Sequence, residues 1–305
     1  MSKYEKGDKM HMFLFGSGGP FNNIKRVGSC IGIIAAGEFI LVDVGPGSYR
    51  NVDMMRLPVS YLSAIFLTHF HSDHIGDLGE ANMMSWANGR TKPLEIYGPK
   101  GVEKVVNGFT MAYELDSGYR VAHHGAETII PKAGTPICKT ILIQDPDELE
   151  LFFDRNGLKV YAFKVDHTPV NPAFGYRFEY KGNVVVITGD TKKTENLAKF
   201  CSNADILFCE AISFDMLNSV ISGPANLPKR LVKILIDIQN YHMNPIIAAG
   251  VAKEAKVKKL VYVHITPPLL TTKQEENYLQ GVCDIFDGEV VLGQDKMIFK
   301  LKPKL

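Results

Sequence analysis

Three histidines and two aspartates fall within ten positions, residues 68–77, THFHSDHIGD. Imidazole and carboxylate are side chains that hold divalent cations such as zinc. His69 and His71 are two apart, so in an extended segment both rings point to one side and can meet one ion. Asp73 and His74 follow at a turn, where the alternation fails and side chains fan toward a second point. Gly76 lets the chain leave without a clash. A solvated surface loop is the plain alternative. Yet the chain has nine histidines in all, and three of them sit in the hexapeptide His69–His74. The cluster reads as HxHxDH, able to serve two neighbouring ions.

Other segments also end in ligand-type residues. LKVYAFKVDH (158–167) alternates like a strand and ends at His167, NVVVITGD (183–190) ends at Asp190, and KKLVYVHI (258–265) carries His264 near its end. Singly, each has an ordinary reading: a core or surface histidine, or an aspartate in a turn. Together with the hexapeptide they make seven nitrogen and oxygen ligands: His69, His71, Asp73, His74, His167, Asp190 and His264. Such a set suits two divalent cations, zinc first, with manganese or iron as options.

Those residues must be carried by strands that end together. MHMFLFG, CIGIIAAG and EFILVDVG are short apolar runs closed by glycine, and YLSAIFLTHF leads into the cluster. Residues 76–90 predict a helix stopped by Gly89, LEIYGP a strand, and KGVEKVVNGFTMAYEL an amphipathic helix. Residues 117–150 are polar, with Gly, Pro and the acids of DPDE, and read as an inserted loop or hairpin near the site. FGYRFEY and NVVVITGD flank KGN as a hairpin, ADILFCEA is a buried strand, and LPKRLVKILIDIQNYH and NPIIAAGVAKEA are helices. Strands recur in the tail, EVVLG and DKMIFKL. This order predicts an α/β chain with two sheets packed on each other and helices outside, in one domain over residues 1–305.

The totals agree with a globular protein. Apolar residues make up 46% of the 305 and charged residues 22%, and net charge is +1, so no overall field gathers nucleic acid or an anionic membrane. Five scattered cysteines without a CxxC pair argue against a disulfide framework and for a reducing, cytoplasmic setting. The apolar run MFLF near the start is too short for a signal-peptide core, and no stretch reaches membrane-spanning length.

The quoted motifs, in this order, resemble the metallo-β-lactamase superfamily: LVDVGPG (41–47), THFHSDHIGD, VDH (165–167), ITGDT (187–191) and VYVHI (261–265). The resemblance implies a four-layer αββα sandwich with the site at one edge between the sheets. It implies that His69, His71 and His167 hold one metal, that Asp73, His74 and His264 hold the other, and that Asp190 bridges both. Two dications about 3.5–4 Å apart bring the pKa of a shared water toward neutrality and polarise the electrophile. Asp43 and Asp77 are candidates to orient the imidazoles from behind, with turn or cap duty as the alternative.

Within the superfamily the chain is most similar to the ribonuclease Z branch. GSGGP (16–20) resembles its opening glycine turn, Glu210 in FCEAISF its glutamate, and His242 in NYHMNPIIAAGVAKEA its later histidine. Asp73, Glu210 and His242 then form the catalytic set, with Glu210 orienting His242 and His242 assisting departure of an alkoxide. Cys209 replaces the histidine before the glutamate, and only Lys25 and Arg26 hint at the branch's early basic loop. Between His167 and Asp190 only a hairpin fits, so the long arm that grips transfer RNA is absent there. The basic helix residues Lys229, Arg230, Lys233 and Lys253 to Lys259 read as solvated faces.

The expectation is a dinuclear metal-dependent hydrolase of phosphodiester or related ester bonds, ribonuclease Z-like without the docking arm. A carboxylic ester, lactone, thioester or aryl sulfate hydrolase on the same metals is the alternative. A non-catalytic binding member ranks last, because all seven ligands are present. The implied partners are a small-molecule ester or phosphodiester, RNA, and a second copy in a homodimer. His123 and His124 in the 117–150 segment, with Phe21, Trp86, Tyr113 and Tyr119, are candidates to touch substrate, core packing being the alternative for the aromatics.

Overall fold

Strands β1 (Met10–Gly16), β2 (Cys30–Ala35) and β3 (Glu38–Val42) are apolar at nearly every position because both of their faces are covered. In the computed structural model, which describes residues 8–224 and 226–304, Met10, Met12 and Leu14 of β1 pack into the core between two sheets. Phe13 and Phe15 of the same strand pack outward among helices. The period of two thus sends alternate apolar residues into two different cores.

The other strands are β4 (Leu62–Phe66), β5 (Glu95–Gly98), β6 (Ile137–Thr140), β7 (Glu150–Arg155), β8 (Leu158–His167), β9 (Val170–Tyr180), β10 (Asn183–Ile187), β11 (Ile206–Ile212), β12 (Lys259–Thr266), β13 (Glu289–Leu292) and β14 (Met297–Leu301). They form two seven-stranded sheets, ordered β14-β1-β2-β3-β4-β5-β6 and β13-β12-β11-β10-β9-β8-β7. Each sheet is antiparallel on one side and parallel on the other. Ile33, Ile40 and Phe66 of the first sheet meet Tyr176, Phe178 and Phe208 of the second in the central core. Helices Ser48–Met54, Leu78–Ala87 and Val102–Ala112 cover the first sheet, and helix Pro245–Glu254 covers the second. This is the four-layer αββα sandwich expected.

The strand directions decide where chemistry can gather. β3 and β4 run parallel, and β8, β10 and β12 share one direction because β8 and β10 both lie antiparallel to β9. Their carboxyl ends therefore emerge together, the usual place for a site in an α/β sheet.

Some expectations change. Residues 117–150 are not one inserted loop: they hold the rest of helix Glu114–His124, a short helix Pro131–Gly134 and edge strand β6. Acids in the first turn of Glu114–His124 and histidines in its last suit the helix dipole, which outweighs the polar composition. The helix expected over 76–90 forms as Leu78–Ala87, and a separate short helix, Ser72–Ile75, precedes it. The range 1–305 includes residues 1–7, 225 and 305, which lie outside the described residues. Among the described residues no helix is long and apolar enough to cross a membrane.

Candidate metal centre

β4 delivers His69 and His71 just past its end, β8 delivers His167 as its last residue, and β10 delivers Asp190 three residues on. β12 carries His264, whose backbone is left-handed (φ 53°), and the segment after β3 carries Asp43, likewise left-handed (φ 56°). Such backbone in non-glycine residues costs of order 1–3 kcal/mol and persists where the surroundings over-determine it. Both are at the site.

The seven expected ligands converge. One ligand atom each from His69, His71, His167 and Asp190 lies within 4.8 Å of the others, and the same holds for Asp73, His74 and His264. Asp190 Oδ2 lies between the groups: 3.8 Å from His69 Nε2, 3.9 Å from His167 Nε2, 3.3 Å from His74 Nε2 and 3.2 Å from His264 Nε2. His69 Nε2 and His71 Nδ1 are 3.0 Å apart, and His167 Nε2 is 3.4 Å from His71 Nδ1. Asp73 Oδ2 is 3.2 Å from His264 Nε2 and 3.6 Å from His74 Nε2. Ligands about 2.1 Å from a tetrahedral ion sit about 3.4 Å from one another. Both groups match that spacing.

Three rings are aimed from behind. His74 Nδ1 donates to Asp43 Oδ2 at 2.8 Å, and His167 Nδ1 donates to the Tyr241 carbonyl at 3.1 Å. His69 Nδ1 lies 3.0 Å from Thr68 Oγ1, whose hydroxyl donates to Asp43 Oδ2. Each acceptor fixes the proton on Nδ1 and leaves Nε2 facing the centre. His74 Nε2 is buried without a hydrogen-bond partner, as expected of a nitrogen kept for a cation. The residues present fit a pair of divalent cations.

The electrostatics differ between the two groups. Burial pushes His69 well below the ordinary histidine pKa, lowers His71, and lowers His167 to about 4, so these rings are neutral donors at neutral pH. Burial also works against charge at His74 and His264. There Asp190 outweighs it, with Asp43 and Asp73 respectively, and both histidines are raised. Burial would raise Asp190 and Asp73, but the neighbouring imidazoles hold both carboxyls down. Buried anions at this edge are matched to positive charge between them.

Glu210 and His242 lie beside this cluster. Glu210 Oε1 accepts the Thr191 amide at 3.2 Å and the Met243 amide at 3.0 Å, and Oε2 lies 3.3 Å from His242 Nδ1. The His242 ring stacks on His264 with centroids 5.3 Å apart, and one of its nitrogens groups with Asp190 and His264. Cys209 packs among the outer helices, so the departure at that position points away from the site. Asp77 orients no imidazole: it accepts the Tyr49 amide at 3.0 Å, at the start of helix Ser48–Met54. His123 and His124 are exposed on the last turn of their helix and join no ligand group. Trp86 is buried, Tyr113 packs beside it, Phe21 packs against Ile212 and Leu217, and Tyr119 is exposed. Lys258 and Lys259 pair with Asp205 and Glu289. Sequence reasoning missed Thr68 and the Tyr241 carbonyl. Thr68 adjoins the motif and was legible as a neighbour; a backbone carbonyl 74 residues from its partner had no signal.

A family model for the β-lactamase superfamily domain matches residues 39–265. Ribonuclease Z of Mycobacterium bovis (strain BCG / Pasteur 1173P2) is 32% identical over 298 residues, 97% of this chain and 99% of that protein. Ribonuclease Z of Mycolicibacterium paratuberculosis is 33% identical over 285 residues, 92% of this chain and 95% of that protein. The crystal structure of human tRNase Z, short form, aligns with TM-score 0.67 at 23% identity over 95% of this chain and 98% of that one. The metallo-β-lactamase fold protein YhfI from Bacillus subtilis aligns with TM-score 0.68 at 21% identity over 96% and 100%. Motifs, sandwich and full-length likeness agree: the chain belongs to the metallo-β-lactamase superfamily and lies close to ribonuclease Z within it.

Proposed function

We propose that this chain is a two-metal hydrolase of phosphodiester bonds, with RNA as its substrate class and zinc as the first choice of metal. The observation that carries the reading is Asp190 Oδ2, placed 3.2–3.9 Å from four imidazole nitrogens drawn from both ligand groups. His69, His71 and His167 would hold one ion, Asp73, His74 and His264 the other, and Asp190 would touch both. When bound, such a pair activates a shared water near neutral pH and takes up charge developing on the phosphoryl oxygens.

The chain's own residues do the rest. Asp43, Thr68 and the Tyr241 carbonyl keep Nδ1 of three rings protonated, so each ring presents its other nitrogen. Glu210, fixed by two backbone amides, holds the Nδ1 side of His242. As the phosphorus–oxygen bond to the leaving group breaks, His242 gives a proton to the departing oxygen, which leaves as an alcohol. The full-length likeness to ribonuclease Z favours RNA over the other esters.

The test is one panel: bis-(p-nitrophenyl) phosphate, precursor transfer RNA, a lactone and an aryl sulfate, each with zinc-loaded protein. Turnover of the diester and of the RNA, with little on the other two, is expected. Turnover confined to the lactone or the sulfate overturns the reading. The tight connection between β8 and β9, where His167 pairs with Val170, leaves no docking arm at that point. Weak affinity for the RNA is therefore expected beside normal cleavage chemistry.

A further inference from the structure

Of the four buried histidines expected as ligands, one has no acceptor behind its ring. His264 Nδ1 is buried without a hydrogen-bond partner, unlike the Nδ1 atoms of His69, His74 and His167. What lies behind His264 is backbone. Gly18 bridges Ile265, and the Ile265 amide donates to the Ser17 carbonyl at 3.0 Å. A Cβ on Gly19 would fall 2.5 Å from Thr266 Oγ1 and 3.0 Å from His264 Cε1, so only glycine lets the chain come this close. At the far end of the same loop, a Cβ on Gly28 would fall 2.9 Å from the Asp73 carbonyl oxygen. The loop 17–28 thus backs two of the three residues of the second group.

That loop holds little regular structure of its own, and one carboxylate gathers it. Asp295, in the turn before β14, accepts the Ser17 amide at 3.0 Å and the Ser17 hydroxyl at 2.8 Å on Oδ1. Its Oδ2 accepts the Val27 amide at 2.9 Å and Asn51 Nδ2 at 3.1 Å. Asn51 in turn donates to the Phe15 carbonyl at 2.7 Å, at the end of β1. A single side chain from the tail therefore ties both ends of the loop together, through charge-assisted bonds that are roughly twice as strong as neutral ones.

We propose that Asp295 is a positioning residue for the second metal group: by holding Ser17 and Val27 it keeps the loop seated behind His264 and Asp73, and so sets the affinity of that half alone. This rests on the two-metal reading above. Asp295 touches neither ion nor substrate.

The experiment is zinc uptake by the full chain, stripped of metal and titrated against a competing chelator without substrate. The wild type is expected to take two equivalents. Asp295→Ala should keep the first and bind the second about 10–100-fold more weakly, the range for residues that orient ligands. Asp295→Asn, which keeps one acceptor oxygen, should lose less, and Ser17→Ala, which removes one donor of four, least. Asp205→Asn controls for stability, because Asp205 holds the Val184 amide at 2.9 Å far from the loop; it should bind both equivalents normally. Equal weakening of both equivalents, or an unchanged second one in both Asp295 variants, overturns the proposal. A wild type that takes one equivalent overturns it together with the two-metal reading. Should Asp295→Ala fail to fold, Asp295→Asn and Ser17→Ala decide by the same criterion. Because metal uptake is read without substrate, failure of the diester assay is a separate result.

Discussion

Charged side chains join the two sheets at both ends of the sandwich, and the two ends are built on opposite rules. At the amino ends of β3 and β5, Arg155 of the second sheet reaches Glu95 at 2.5 Å and Glu38 at 3.8 Å, and Lys139 reaches Glu95 at 3.1 Å. Each acid there has a permanent cation, and the group is partly exposed. At the carboxyl ends, Asp190 and Asp43 are buried among imidazoles, and His74 Nε2 makes no hydrogen bond. The first end closes its own charges. The second is left open to a cation. The acids of the first end meet lysine and arginine, whereas those of the second meet imidazoles, whose nitrogens can also bind a cation.

The sharpest way to break this contrast is Asp190→Ala. It should remove bound metal and activity together, by more than the roughly 100-fold upper range for residues that merely orient ligands. Metal analysis and the diester assay on one sample check it, and retained metal would sink the bridging role. Next in size is His242→Ala, which should keep its metal and lose about 10²–10⁴ in rate on diesters with poor leaving groups. A p-nitrophenyl leaving group needs no proton and should suffer far less; equal losses on both would remove the proton from the account. Asp43→Asn should follow, with metal affinity down about 10–100-fold, since one oxygen serves His74 and, through Thr68, His69.

The smallest effects belong at the closed end. Asp205, at the start of β11, accepts the Val184 amide and pairs with Lys258 and Lys304. Burial would raise its carboxyl, but those bonds outweigh it and hold the pKa low. A carboxyl lowered by folding adds stability that is present above its unfolded pKa and is lost as pH falls through the folded one. Asp205→Asn should therefore cost about 1 kcal/mol at neutral pH and nothing in strong acid, read from denaturant midpoints at both. Metal content and rate should not change. A change in either would blur the division between the two ends.

Much of the open end was legible because its signals are local or short. HxHxDH is contiguous, and His167, Asp190 and His264 each mark a strand end, so a period of two and a count of histidines were enough. Other elements were missed although their letters were plain. Strand β7 runs into Asn156-Gly157, both left-handed (φ 50° and 83°), before β8: an Asn-Gly hairpin signal just past the 117–150 segment, in residues given no element from the sequence. Helix Thr272–Tyr278 opens with a Thr271–Gln274 capping box that the sequence displays. What no local pattern could give is the set of long bonds, such as Asp295 to Ser17, 278 residues apart. Partner choice over that distance is fixed by sheet order, and sheet order follows from burial of the whole chain.

The four residues of the first group do not share one sheet. His69 and His71 follow β4, whereas His167 and Asp190 come from β8 and β10 across the seam. Any cation seated there rivets the two halves of the sandwich. Occupancy should then be readable by heat alone, as a melting temperature that climbs with free zinc and drops on chelation. A thermal shift plate, with no substrate in the well, becomes an assay for the chemistry.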